Sequence, residues 1–138
     1  MTVNQSFHQK QVNLECEGDI VEVRKAVRIA AQEIGFGVTD TTRIVTAASE
    51  LARNVHRFAG TGLMTLESTR NTEHKGITLI FTDNGPGIAD VDQAMELGFT
   101  TGGGLGLGLP GAKRLMDEMK LESKPGQGTR ICISKWLS

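Results

Sequence analysis

Residues 81–111 read FTDNGPGIADVDQAMELGFTTGGGLGLGLPG, and this stretch decides how the rest of the chain is organised. An apolar strand ends at Asp83, a short turn follows at residues 84–87, and glycines crowd positions 102–111. Glycine adopts positive φ angles and lets a ligand approach the main chain, so this density indicates backbone N–H groups arranged around an anion. Pro110 suits the first turn of a helix, whose N-terminus would face the glycines. The stretch therefore predicts a phosphate site, with a glycine loop that binds nothing as the alternative.

Two familiar phosphate motifs do not fit this glycine cluster. Residues 106–111, GLGLPG, satisfy the pattern G-x-G-x-x-G. No strand leads into them and no βαβ unit follows, so the dinucleotide fingerprint lacks its structural context. A Walker A loop requires Gly-Lys-Ser or Gly-Lys-Thr, whereas Gly111 is followed by the residues AKR. Both motifs are excluded.

Three short segments remain, and their order and spacing carry a resemblance. They are residues 50–54 (ELARN), 83–87 (DNGPG) and 104–108 (GLGLG). Together they resemble the Bergerat-type ATP site of the superfamily of gyrase-like ATPases, Hsp90, histidine kinases and MutL. More narrowly, nearly the whole chain is similar to the small bacterial serine kinases of anti-sigma-factor pathways, of the stressosome switch type. The shared patterns include S-E-L-A-R-N, D-x-G-P-G-I, the run through K-R-L-M-D-E, and the ending K-W-L.

The resemblance implies a role for each residue of these segments. Asp83 would accept the exocyclic N–H of adenine, Gly85 and Gly87 would let base and sugar lie against the backbone, and Thr129 would complete the adenine contacts. Asn54 would ligate Mg²⁺, and Glu50 would be the general base. The ATP phosphates would be bound at Gly104, Leu105, Gly106, Leu107 and Gly108.

Each of these residues also has an ordinary structural interpretation. Asp83 could simply form the turn with Asn84, and Thr129 could be only a β-branched strand residue. Glu50 and Asn54 lie four residues apart on a predicted helix, where they could belong to a solvated polar face. The match to the family favours the functional interpretation.

The remaining sequence predicts an α+β fold with two layers, a mixed β-sheet and helices on one face. Helices are expected from a cap at Asp19 to Gly35, from Thr39 or Asp40 to about Phe58, and from Pro110 through Met119. Strands are expected at residues 11–16, 63–69, 77–81, 120–123 and 129–136, with a turn at 124–128. We expect one ATP-binding kinase domain over residues 1–138.

The composition of the chain argues against several classes of function and location. The net charge of -1 gives no electrostatic case for a nucleic acid or a membrane surface as partner. Residues 1–12 lack an apolar signal core, and no stretch approaches the ~20 apolar residues of a membrane span, so we expect a cytoplasmic protein. Cys16 and Cys132 are expected to be buried free thiols.

The main functional question left by the resemblance is which hydroxyl takes the γ-phosphate of ATP. It could belong to water or to a serine or threonine of another protein. A module of 138 residues lacks the additional domains of gyrase and MutL, so the expected activity is transfer to a serine or threonine of another protein. By resemblance the substrate would be a STAS-domain stressosome protein, and a released kinase would activate a PP2C-type phosphatase. A sequestering module whose ATP site only locks conformation and a stand-alone ATPase are the alternatives.

Overall fold

The computed structural model describes residues 5–87 and 109–137, with side chains described from residue 9 onward. The described elements are β1 (Gln5–Leu14), α1 (Asp19–Ile34), α2 (Val38–Asn54), a π-helical turn (Val55–Ala59), β2 (Gly62–Arg70), β3 (Lys75–Asp83), α3 (Leu109–Leu115), β4 (Glu118–Lys124) and β5 (Gly128–Trp136). The five strands form one sheet in the order β1-β2-β3-β5-β4. The predicted α+β fold is confirmed.

Every strand pair among the described residues is antiparallel, so the prediction of a mixed sheet is wrong for this part of the chain. Alternate residues of the central strand β3, such as Leu79 and Phe81, are fully buried in the core shared with the helices. Their neighbours Thr78 and Ile80 point to the other face and are partly exposed. The helices therefore cover one face of the sheet, as predicted.

Helix α1 has the predicted buried stripe, including Val23, Val27 and Ala31, and it ends as predicted at Gly35. Gly35 has φ 118°, and its N–H donates to the carbonyls of the preceding turn, a C-terminal arrangement that favours glycine. The predicted cap at Asp19 is wrong, because Gly18 occupies the N-cap position. The Asp19 carboxylate instead accepts the backbone N–H groups of Glu15 and Cys16, at 2.8 and 3.1 Å.

Helix α2 begins after the N-cap residue Gly37, so the predicted caps at Thr39 and Asp40 are wrong. The core stripe is confirmed, since Ile44, Ala48 and Leu51 are fully buried. The α-helical hydrogen bonding ends at Asn54, four residues earlier than expected, and the chain continues as a π-helical turn to Ala59. Among the described residues, no helix is long and apolar enough to cross a membrane.

The structure also tests the predicted burial of the two cysteines. Cys16 is exposed and Cys132 is half-buried, so the prediction of two buried thiols is wrong. Burial raises the pKa of the Cys132 thiol.

Met119 lies in β4 rather than in the helix after Pro110, because α3 ends at Leu115. The turn at residues 124–128 is confirmed by a backbone hydrogen bond from Gln127 to Lys124.

Candidate functional site

Asp83 is the last residue of β3, and the structure fixes one of its carboxylate oxygens. The backbone N–H of Gly85 donates to Oδ1 of Asp83 at 2.9 Å, which confirms the turn-forming interpretation. Among the described residues, no hydrogen bond engages the second oxygen, Oδ2. Because β3 alternates, Asp83 lies on the same side as Phe81, facing the helical layer. A half-buried carboxylate with a fixed orientation can accept a hydrogen bond from a ligand.

The glycines around Asp83 let main-chain segments meet at distances that a side chain would prevent. A Cβ on Gly87, which has φ 77°, would overlap the carbonyl oxygen of Lys124. A Cβ on Gly128, which has φ 89°, would overlap the carbonyl oxygen of Asp83. The Pro86 carbonyl accepts the N–H of Gly126 at 2.6 Å. The loop after β3 is thus packed directly against the turn between β4 and β5.

A row of polar side chains crosses three strands at this end of the sheet. Thr129 of β5 lies opposite Asp83 of β3 on one side and opposite Ser123 of β4 on the other. The Ser123 hydroxyl donates to the Gly128 carbonyl at 3.0 Å and lies 2.8 Å from the Thr129 hydroxyl. Either hydroxyl can be the donor in the second contact, and a hydroxyl that donates one hydrogen bond can still accept others. Sequence reasoning identified Asp83 and Thr129 but missed Ser123, which gives no local signal in an alternating strand.

The C-terminal end of α2 lies beside the same strand end. A Cβ added to Gly62 would meet Val55 Cγ1 and the Thr82 carbonyl oxygen at 2.6 Å each, and Asp83 Cβ at 3.3 Å. Val55 directly follows Asn54, so the predicted metal ligand belongs to the helix end that lies beside Asp83. Asn54 is partly exposed. An amide oxygen is a hard ligand of the type that Mg²⁺ prefers.

The π-helical turn that follows Asn54 was not predicted. Its Ala59 lies under the loop after β3, since a Cβ on Gly85 would meet Ala59 Cβ at 2.6 Å. Turns of this kind often occur at functional sites. The residues VHRFA carry no local signal that distinguishes a π-turn from a continuing α-helix, and the turn packs against Gly62 and Gly85.

Glu50 lies one helical turn before Asn54 and is accessible. Its side chain is 42% exposed, and its carboxylate forms an ion pair with Arg53 at 3.1 Å. Exposed pairs of this kind stabilise a protein by at most about 1 kcal/mol, so the pair can open readily. An accessible carboxylate near a predicted metal ligand can act as a proton acceptor for an incoming hydroxyl.

The predicted phosphate-binding residues Gly104, Leu105, Gly106, Leu107 and Gly108 lie outside the described residues. The helix predicted after them begins at Leu109, with Pro110 in its first turn, and Leu109 and Ala112 are buried in the core. Within residues 5–87 and 109–137, no group of three or more His, Cys, Asp and Glu side chains could hold a metal ion.

Sequence comparisons show which family and which known proteins the chain is similar to. The family model of histidine kinase-, DNA gyrase B-, and HSP90-like ATPases matches residues 39–137. The serine/threonine-protein kinase RsbT of Bacillus subtilis (strain 168) is 50% identical over 129 residues, which cover 94% of this chain and 97% of that protein. The anti-sigma F factor of Clostridium novyi (strain NT) is 32% identical over 119 residues, 83% of each chain. That of Thermoanaerobacter sp. (strain X514) is 30% identical over 120 residues, covering 83% of this chain and 82% of the relative.

Proposed function

Because the chain belongs to the histidine kinase-, DNA gyrase B-, and HSP90-like ATPase family, we propose that it is a protein serine/threonine kinase. It uses ATP with Mg²⁺ to phosphorylate a STAS-domain protein. The observation that carries this proposal is the Asp83 carboxylate, held at the strand end by Gly85 and directly opposite Thr129. That pair supplies the acceptors needed to recognise adenine beside a potential metal ligand, Asn54.

Adenine recognition follows from the acceptors at the strand end. Asp83 offers Oδ2 to the exocyclic amino group of adenine, while the Gly85 N–H holds Oδ1 in place. Guanine presents a carbonyl at that position, which an ionised carboxylate repels, so Asp83 selects adenine. Thr129 adds a hydroxyl that Ser123 holds in place from the neighbouring strand. Gly85 and Gly87 let the loop after β3 pack against Ala59 and Lys124, and the backbone held in this way is the one proposed to face the base and the sugar.

Phosphate and metal binding are assigned to the two segments that flank the strand end. Asn54 contributes an amide oxygen to Mg²⁺, and residues 104–108 contribute backbone N–H groups to the phosphates. A Mg²⁺ ion held there would supply positive charge to offset the charge that develops on the phosphates during transfer. The assignment of Asn54 is supported by the position of the next residue, Val55, near the Asp83 side chain.

Glu50 is assigned the proton transfer. In this proposal the docked substrate displaces Arg53 from Glu50, and the carboxylate orients the serine or threonine hydroxyl and accepts its proton. The hydroxyl oxygen forms the new bond to the γ-phosphorus as the bond to the ADP leaving group breaks. A hydroxyl held by a docked protein is better positioned than free water, so transfer is faster than hydrolysis.

The partners are proposed from the family resemblance and the near full-length similarity to a serine/threonine-protein kinase. The substrate is a STAS-domain stressosome protein, and the released kinase activates a PP2C-type phosphatase in the cytoplasm. The similarity to anti-sigma F factors favours a second candidate, an ATP-dependent binding module that sequesters its partner without turnover.

The test incubates the protein with Mg·ATP, with and without a STAS-domain protein encoded beside it, and measures free phosphate and the intact mass of the partner. A mass gain of one phosphate on a serine or threonine is the expected result. A stable complex without any mass change would favour the sequestering module. Rapid phosphate release without a partner would instead identify a stand-alone ATPase.

A further inference from the structure

A buried lysine outside the candidate site connects three elements of the fold. Lys135, near the end of β5, is only 9% exposed. Its ammonium donates to the carbonyl of Leu115, the last residue of α3, at 3.0 Å. It also lies 3.5 Å from the carboxylate of Asp117 and 4.0 Å from that of Asp40, in the first turn of α2. One side chain thus contacts the end of α3, the start of β4 and the start of α2.

Asp117 strengthens the same junction from the other side. Its carboxylate accepts the backbone N–H of Trp136 at 2.8 Å, and its own N–H donates to the Ser134 carbonyl at 2.9 Å. The Trp136 indole N–H also reaches Glu118, at 3.2 Å. Residues 113–118 (KRLMDE) and 135–137 (KWL) therefore meet in one polar junction. The proposed nucleotide contacts assign no role to either segment.

The charge of Lys135 is unusual for its position. It occupies a helix-facing site of β5, two residues after the fully buried Ile133, where an apolar side chain would be the common choice. A buried ammonium requires hydrogen-bonded or charged partners, and it adds little net stability relative to an apolar residue of similar volume. Such a group can instead fix the relative placement of the elements that it joins.

The elements joined by Lys135 are those that carry the proposed ATP contacts. Helix α3 directly follows residues 104–108, and α2 carries Asn54 at its other end. Leu109 and Ala112 fix the first turns of α3 in the core, while Lys135 fixes its last carbonyl. We propose that Lys135 is a positioning residue that sets α3, the helix that follows the proposed phosphate-binding residues in sequence, relative to α2 and the base pocket. This inference rests on the proposed function.

The test separates phosphate contacts from base contacts. Calorimetric titrations with ADP and with adenosine are compared for the wild type and for Lys135→Met, which keeps the length of the side chain and removes its charge. We expect ADP affinity to fall about tenfold with adenosine affinity unchanged, since misplaced glycines affect only the phosphates. Lys135→Arg, which retains donors for the same carbonyl and carboxylates, should restore most of the ADP affinity. Lys120→Met removes an exposed lysine from β4 and should change neither affinity.

A merely structural role gives a different pattern. If Lys135→Met lowers the thermal stability but leaves the ratio of ADP to adenosine affinity at the wild-type value, the positioning role is wrong. If Lys135→Met does not fold, Asp117→Asn provides the same comparison, with a smaller loss of ADP affinity expected and an unchanged ratio contradicting the inference. Failure of the wild type to bind ADP would overturn the proposed function itself, and the inference with it.

Discussion

Asp83 and Glu50 are the two carboxylates to which the proposed function assigns a role, and the protein holds them in opposite ways. Asp83 is half-buried, bonded to the Gly85 N–H at 2.9 Å and fixed opposite Thr129 in the sheet. Glu50 projects from α2 with its side chain 42% exposed, and its carboxylate forms an exposed ion pair with Arg53. Under the proposed function, this difference means that the base-binding carboxylate is oriented before the ligand arrives, whereas the carboxylate assigned to proton transfer becomes oriented when a substrate docks.

The largest effect is expected for Glu50→Gln, which removes the proton acceptor while keeping the shape of the side chain. Phosphoryl transfer to the partner should fall by about 10²–10⁴-fold, the usual contribution of a general base. The measurement is the rate of partner mass gain under Mg·ATP. Glu122→Gln is the matched control, because Glu122 also forms an exposed ion pair, with Arg130 at 3.2 Å, on the far strand β4. A wild-type rate in Glu50→Gln would mean that positioning alone drives the transfer.

A smaller effect is expected from Gly128→Ala, which tests whether the surroundings of Asp83 are rigid. The new Cβ would overlap the Asp83 carbonyl oxygen at a backbone with φ 89°, so the strand end must shift. We expect a loss of about 1–3 kcal/mol in the free energy of unfolding and about tenfold weaker ADP binding. Gly37→Ala is the control, since its φ is -77° and a Cβ there meets nothing within 4 Å. Equal behaviour of the two variants would show that the strand end is adaptable.

The smallest effect concerns Asp19, a carboxylate held by the backbone without any proposed ligand. Backbone hydrogen bonds from Glu15 and Cys16 hold its pKa below the usual 3.8. A lowered folded-state pKa stabilises the protein above pH 3.8, and this contribution is lost as the pH falls through the folded-state pKa. The difference in unfolding midpoint in urea between wild type and Asp19→Ala should therefore be present at neutral pH and vanish in acid. A difference that stays constant with pH would show that the bonds do not depend on the charge.

The fold was predictable where the signal is local. The apolar run at residues 77–81 and the helical stripe of α1 determine burial by their own periodicity, and Gly35 ends its helix through a positive φ. Antiparallel pairing throughout the described sheet was not predictable, because strand order depends on contacts between distant segments. Met119 was misplaced for the same reason, since the junction of Asp117 with β5 ends the helical region before it.

Some residues of the candidate site could be predicted from the sequence, and others could not. Asp83 and Thr129 were identified through the family resemblance, and the structure adds that they lie directly opposite each other. Ser123 and the π-helical turn after Asn54 were missed, since each depends on a partner distant in sequence. The Ser123 hydroxyl acquires its place through Thr129, and the turn packs against Gly62 and Gly85.

The most direct test of the adenine pocket is a calorimetric titration of ADP into wild type, Asp83→Asn and Glu50→Gln, without any partner protein. Asp83→Asn keeps the size of the side chain but can present donors to the adenine amino group, at a cost of roughly 1–3 kcal/mol. We predict that Asp83→Asn binds ADP about ten- to a hundredfold more weakly and that Glu50→Gln binds it like the wild type. Unchanged affinity in a folded Asp83→Asn variant would contradict the assignment of Asp83 to the adenine pocket.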